Sequence, residues 1–160
     1  MSAMSFMPLA LAGSLVLALG PSTPSPVRSH AALTDANIVA IFDAANTADI
    51  ETGNLAAKNG QSEDVRNLGK QFAEAHTTLR QQGRDLAKKL GVTPVLPAGD
   101  QGAAQHAEAM KMLKSKKGAD FDKAYLAQEI AYHQAVIDAV TNVLLPATQN
   151  AELKAFEQKA

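Results

Sequence analysis

Apolar residues recur every three or four positions through most of the chain after residue 33, which is the spacing of one face of an α-helix. This pattern predicts helices at about residues 34–59, 62–90, 101–115, 119–145 and 150–160. No segment alternates apolar and polar residues as a half-buried strand does. Because short connections join long helices, the sequence predicts an all-α bundle of antiparallel neighbours, with the short third helix in the crossover.

Residues at the predicted helix ends support these boundaries. Thr34, Ser62 and Asn150 can each cap a helix N-terminus through the side-chain oxygen. Gly91 is suited to the left-handed conformation that ends many helices. Pro146 stops the fourth helix because proline lacks the backbone N–H that a helix interior requires.

Four ionisable residues lie within the apolar stripes of the three long helices. At 100° per residue, Asp49 falls on the inward face of the first helix, His76 on that of the second, and Glu129 and His133 on that of the fourth. Burying such groups is unfavourable unless they are paired, hydrogen-bonded or bound to a metal. The sequence therefore predicts that these four side chains meet inside the bundle.

Carboxylates and imidazoles are the ligands that hold Fe, Mn, Zn or Cu in a bundle core. We predict at most one transition-metal ion per chain, bound by His76 and His133 with Asp49 or Glu129. A structural interpretation stays open, in which His76 pairs with Asp49 and Glu129 with His133 across one helical turn. His106 lies at the margin of its helix's apolar face, and we expect it to be exposed.

The first 31 residues are predicted to be a leader. The apolar run from Pro8 to Leu19 is too short for a membrane span, which needs about 20 residues. It fits a secretory signal peptide, and Ser29-His30-Ala31 offers a cleavage site before Ala32, although no Lys or Arg precedes the run. We expect a mature domain at residues 32–160 in the periplasm or secreted, the alternative being an uncleaved membrane anchor.

Composition excludes several classes of function. A net charge of -1 argues against a nucleic-acid-binding surface. The absence of cysteine excludes disulfides, thiolate catalysis and cysteine-ligated zinc. The amphipathic helices after residue 33 argue against a membrane span in the mature chain.

Several segments resemble a known family. They are ADIETGNLA at 48–56, VRNLGKQFAEAHTTL at 65–79, GADFDKAYL at 118–126 and EIAYHQAVI at 129–137. The chain resembles the secreted bacterial ferritin-like family of domain of unknown function 4142, often labelled a predicted outer membrane protein. The resemblance implies export and a ferritin-like four-helix bundle, but no assigned activity.

The family's inward polar positions correspond to Asp49, His76 and His133 here. Two positions depart from the family pattern: Asp49 stands where Glu is usual, and Ala75 stands where Asp usually precedes the histidine. Family members also continue into a full fourth helix bearing another histidine. We therefore expect a truncated last helix and an uncovered groove, which an incomplete gene product or a homodimer would explain.

Two classes of function remain. The first is a non-enzymatic envelope or stress protein that binds a metal or small ligand. The second is a ferritin-like metal-dependent oxidase or peroxide-consuming enzyme. Dinuclear sites of that type repeat Glu-x-x-His on two helices, whereas Glu129 and His133 are four residues apart and have no second copy. We favour the first class and assign no catalytic residue.

Overall fold

The computed structural model describes residues 33–160, and this part of the chain is helical without any strand. Its elements are α1 (Asp35–Asn59), α2 (Glu63–Leu90), α3 (Gly102–Lys114), α4 (Gly118–Ala139), a π-helical turn (Val140–Leu144), α5 (Leu145–Ala147) and α6 (Ala151–Glu157). The all-α prediction is confirmed. The predicted leader lies outside the described residues. No helix within residues 33–160 is both long and apolar enough to cross a bilayer.

The helix ends follow the predicted capping residues. Thr34 forms a reciprocal capping box with Asn37 at the start of α1. Ser62 accepts from the Val65 amide at the start of α2, and Asn150 caps α6. Gly91 has φ 67° and ends α2 in the left-handed conformation, which glycine adopts without steric cost.

The helical segment that begins with α4 runs through Pro146 to Ala147, but it is not a regular α-helix throughout. The Leu145 amide donates to the Val140 carbonyl, five residues back, which makes a π-helical turn. Pro146 follows this turn and has no N–H to continue a regular ladder. The sequence pattern missed this turn because it reports side-chain spacing rather than backbone hydrogen bonding.

The most extensive contact between helices in residues 33–160 is that of α1 with α2, which pack along much of their length. Gly53 and Gly69 face each other at this interface. A Cβ atom on Gly53 would lie 2.7 Å from the Gly69 carbonyl oxygen, and one on Gly69 would lie 2.5 Å from the Gly53 oxygen. The absence of both side chains therefore lets the two backbones approach this closely.

Two apolar clusters form the core, one towards each end of the bundle. One cluster contains Ile38, Val39, Ala87, Leu144 and Leu153. The other contains Ala56, Val65, Leu113, Phe121 and Tyr125. Along α1, α2 and α4, the predicted polar residues fall between the residues of the two clusters, so the candidate site lies in a layer between them.

On two helices, large apolar side chains lie outside the buried face. On α2 the buried residues are Val65 and the small residues Gly69, Ala73 and Ala87, whereas its larger apolar side chains are half-buried. The close approach to α1 selects small residues at the contact. On α4, the large apolar residue Ile137 lies at the surface and is 57% exposed.

Candidate metal centre

Three helices each bring one predicted ligand to the same point. Asp49 on α1, His76 on α2 and His133 on α4 each offer a ligand atom, and these atoms all lie within 4.8 Å of one another. Ligand atoms around a tetrahedral zinc ion lie about 3.3 Å apart, given metal–ligand distances of about 2.0–2.1 Å. Small side-chain movements would therefore bring the three atoms to coordination distance.

The ring of His76 is held by Asn46. The Asn46 amide nitrogen donates to the Phe42 carbonyl at 2.8 Å, which turns its oxygen towards His76. That oxygen lies 2.9 Å from His76 Nδ1. Because an amide oxygen only accepts, the neutral ring carries its proton on Nδ1, which also lies 3.5 Å from Asp49 Oδ2, and the lone pair is on Nε2.

His133 has the same protonation pattern for a different reason. Its Nδ1 lies 2.9 Å from the backbone carbonyl of Glu129, one turn earlier on α4. A carbonyl only accepts, so Nδ1 is the donor and Nε2 keeps its lone pair. Fixing one ring nitrogen by such a bond is the usual way in which proteins orient a metal-binding histidine.

Glu129 lies beside the three-residue cluster rather than in it. It is 5% exposed, and its Oε2 atom has no hydrogen-bond partner. That atom lies 3.6 Å from His133 Nδ1. Burial raises the pKa of the Glu129 carboxyl, against the lowering effects of the Thr52 hydroxyl and His133. An unpartnered buried carboxyl is unfavourable, so Glu129 is available as a further ligand.

Burial also shifts the pKa values of Asp49 and His76. It raises the pKa of Asp49 to about 7, although nearby His133 acts in the opposite direction. Burial lowers the pKa of His76, and His133 lowers it further. The imidazole of His76 is therefore neutral near pH 7, which is the form that binds metals.

Aromatic rings surround the two histidines. The imidazole centroids of His76 and His133 are 5.6 Å apart, and the Phe72 ring lies 6.2 Å and 5.3 Å from them respectively. Tyr132 donates to the Ala45 carbonyl at 3.3 Å, which ties α4 to α1. Tyr125, one turn before Glu129, has a buried hydroxyl without a partner.

Sequence reasoning did not include Asn46 in the site. As a neutral amide on a helix it carries no burial penalty comparable to that of a charge, and only its position one turn before Asp49 could have indicated it. His106 is half-buried rather than fully exposed, and its Nε2 lies 2.8 Å from a Glu51 carboxylate oxygen. This pair is separate from the cluster of Asp49, His76 and His133.

The fold and site together define a helical-bundle protein with a cluster of two histidines and a carboxylate between its apolar layers. The chain belongs to the family described as domain of unknown function (DUF4142), whose family model matches residues 21–160. No curated protein matches the chain, and no solved structure does.

Proposed function

We propose that this protein is an exported, ferritin-like helical bundle that binds one transition-metal ion per chain. Asp49, His76 and His133 would hold the ion, and Glu129 would supply a fourth ligand, which would be the second carboxylate. The observation that supports this most directly is the convergence of three ligand atoms, from three different helices, within 4.8 Å.

A purely structural pairing of Asp49 with one histidine explains less of the site than a bound metal ion does. One imidazole would suffice to pair with Asp49, yet ligand atoms of both His76 and His133 lie within 4.8 Å of the carboxylate. Burial raises the pKa of Asp49 to about 7, so the carboxylate is poorly stabilised by its present neighbours. A divalent cation would stabilise the ionised carboxylate and would be bound by one ring nitrogen of each histidine.

The ligand chemistry narrows the choice of metal. Nitrogen and carboxylate oxygen ligands without sulfur suit Fe, Cu(II), Zn or Mn. Within residues 33–160, two carboxylates lie close to the histidines, those of Asp49 and Glu129. That number fits a single ion better than a dinuclear centre, which commonly uses four carboxylates. We therefore propose a metal-binding envelope or stress protein rather than an oxidase.

Elemental analysis of the chain purified without an affinity tag tests the proposal. We expect about one equivalent of metal, or its uptake on titration with Zn²⁺, Cu²⁺ or Mn²⁺, or with Fe²⁺ without oxygen. Changing both His76 and His133 to Ala should abolish binding. The His106→Ala variant is the matched control, because it removes a histidine outside the cluster, and it should bind as the parent does.

Retention of full metal affinity by the double variant would refute the proposed site, as would a parent protein that binds none of these ions. The enzymatic alternative has its own assay. Steady turnover of oxygen or peroxide by the iron-loaded protein would favour the ferritin-like enzyme over the binding protein.

Export is proposed from the apolar run at residues 8–19 and the small residues at the cleavage site. Expression of the full chain in a bacterial host, followed by fractionation and N-terminal sequencing, tests it. We expect a periplasmic or secreted product beginning at Ala32. A full-length product in the membrane fraction would instead support an uncleaved anchor.

A further inference from the structure

One face of α4 exposes a stripe of large apolar side chains that the candidate centre does not use. Leu126, Ile130 and Ile137 are 39%, 73% and 57% exposed. At 100° per residue they lie within an arc of about 40° on the helix surface. We call these three residues the α4 stripe. Val143, in the π-helical turn, is a further exposed apolar residue, at 50%.

Isolated apolar residues on a surface are ordinary, but a continuous stripe indicates a contact. Only six large apolar side chains are exposed within residues 33–160, and three of them form the α4 stripe. Val95 and Leu96 are also exposed, but they lie in the loop between α2 and α3. Burying an isoleucine contributes about 1.5–3 kcal/mol, so pairing two such stripes would provide a substantial driving force.

We propose that the α4 stripe is the interface of a homodimer in which the α4 helices of two copies pack antiparallel. The charged residues beside the stripe support a second copy as the occupant. Lys123 and Asp138 lie on the same side of the stripe, near its opposite ends. Neither side chain forms an ion pair within the described part of the chain.

A two-fold axis at the level of Ala131 brings the apolar residues of the stripe and the two charged residues into register with those of the second copy. Leu126 and Ile137 lie five residues before and six after Ala131, while Lys123 and Asp138 lie eight before and seven after. In an antiparallel pair each side of the stripe meets the same side of the other copy with its ends exchanged. Lys123 of each copy therefore approaches Asp138 of the other, whereas parallel packing would put the two Lys123 side chains on opposite flanks of the interface and would form no such pair.

The same arrangement would cover the exposed edge of the candidate centre. His133 lies two residues from the proposed axis, borders the stripe, and has a side chain that is 35% exposed. A second copy would therefore shield this histidine from water. The dimer does not require a metal ion, so its test is made with a chelator present and stands apart from the proposed metal binding.

Sedimentation equilibrium of the purified chain over a wide concentration range tests the dimer. We expect a reversible monomer–dimer equilibrium. The Ile130→Lys substitution should weaken it about tenfold or more, because a charge would be buried at the interface. Ile137→Lys is an independent second substitution with the same expected effect. Val95→Lys is the matched control, since it changes an equally exposed apolar residue away from the stripe, and it should leave the equilibrium unchanged.

Charge exchange tests the antiparallel register. Lys123→Asp alone and Asp138→Lys alone should each weaken association, and the double variant should recover it because both reciprocal pairs are restored with reversed polarity. A chain that stays monomeric at all concentrations would overturn the dimer. A dimer insensitive to both lysine substitutions in the stripe would overturn the interface, and a double variant without recovery would overturn the register.

Discussion

Asn46 determines which nitrogen of His76 carries the proton. Its amide nitrogen donates to the Phe42 carbonyl, so its oxygen can only face the imidazole and accept from Nδ1. The ionisable residues of the site were predictable because a charge on an apolar helix face violates the expected pattern. Asn46 was not predictable in this way, since its role depends on which ring from another helix lies opposite.

The Asn46→Leu substitution should weaken metal binding about tenfold while leaving the ligands in place, because residues that orient a ligand typically contribute 10–100-fold to affinity. Titration of the variant with Zn²⁺, followed by isothermal calorimetry, measures the change. Asn54→Leu is the control, because Asn54 lies on the exposed face of α1. Equal affinities for the two variants would show that Asn46 does not orient the ligand.

Protons should compete with the metal at Asp49. Its pKa is raised to about 7, so a proton must leave before the ion binds over much of the neutral range. We expect the metal affinity to be about tenfold higher at pH 8 than at pH 6.

The stability of the metal-free protein should change with pH in the opposite direction. Because the pKa of Asp49 is raised in the folded state, its contribution to the free energy of unfolding falls as pH rises from about 4 towards 7. Calorimetry and chemical denaturation at several pH values measure the two trends, and a pH-independent affinity would contradict the first.

The α1–α2 hairpin shows which parts of an element follow from sequence. The capping residues Thr34, Ser62 and Gly91 were predictable because each meets a local backbone requirement. The close contact of Gly53 with Gly69 was not, because glycine inside a helix otherwise signals only lower helix stability. Its meaning depends on the partner helix, whose position a local pattern does not contain.

The Gly53→Ala substitution should destabilise the fold by about 1–3 kcal/mol, since the added methyl group would meet the Gly69 carbonyl oxygen at 2.7 Å. Gly83→Ala is the matched control in a helix interior. Its Cβ would meet the Phe156 ring at 3.5 Å, an ordinary contact, so alanine should stabilise by about 0.5–1 kcal/mol through helix propensity. Urea denaturation of both variants measures the difference, and similar effects on stability would argue against the tight contact.

At the scale of the whole molecule, the candidate ligands lie on helices that pack against one another to different extents. Asp49 and His76 lie on the tightly packed α1–α2 hairpin, whereas His133 comes from α4, which contacts α1 over a much shorter stretch. The sequence predicted the helices and their inward polar groups. The sequence did not predict this difference in packing, because the difference depends on how closely the backbones of α1 and α2 approach each other and not on the number of apolar residues.

Metal binding should therefore slow amide exchange more strongly in α4 than in α1 or α2, because the ion would attach the less firmly held helix to the hairpin. Saturating metal at 100 times its dissociation constant should also raise stability by about 2.7 kcal/mol. Hydrogen–deuterium exchange with and without the metal distinguishes the helices. Uniform protection, or protection confined to the hairpin, would be incompatible with a link through His133.

The separation of the hydrophobic core into two end clusters has a consequence for how such a protein can diversify. The two apolar clusters hold the helices in register without contributions from the layer between them. The candidate ligands in that layer can therefore be substituted with little loss of stability. Under the proposed function, a protein built on this plan can change the ion that it binds, or lose ion binding altogether, while the helical architecture persists.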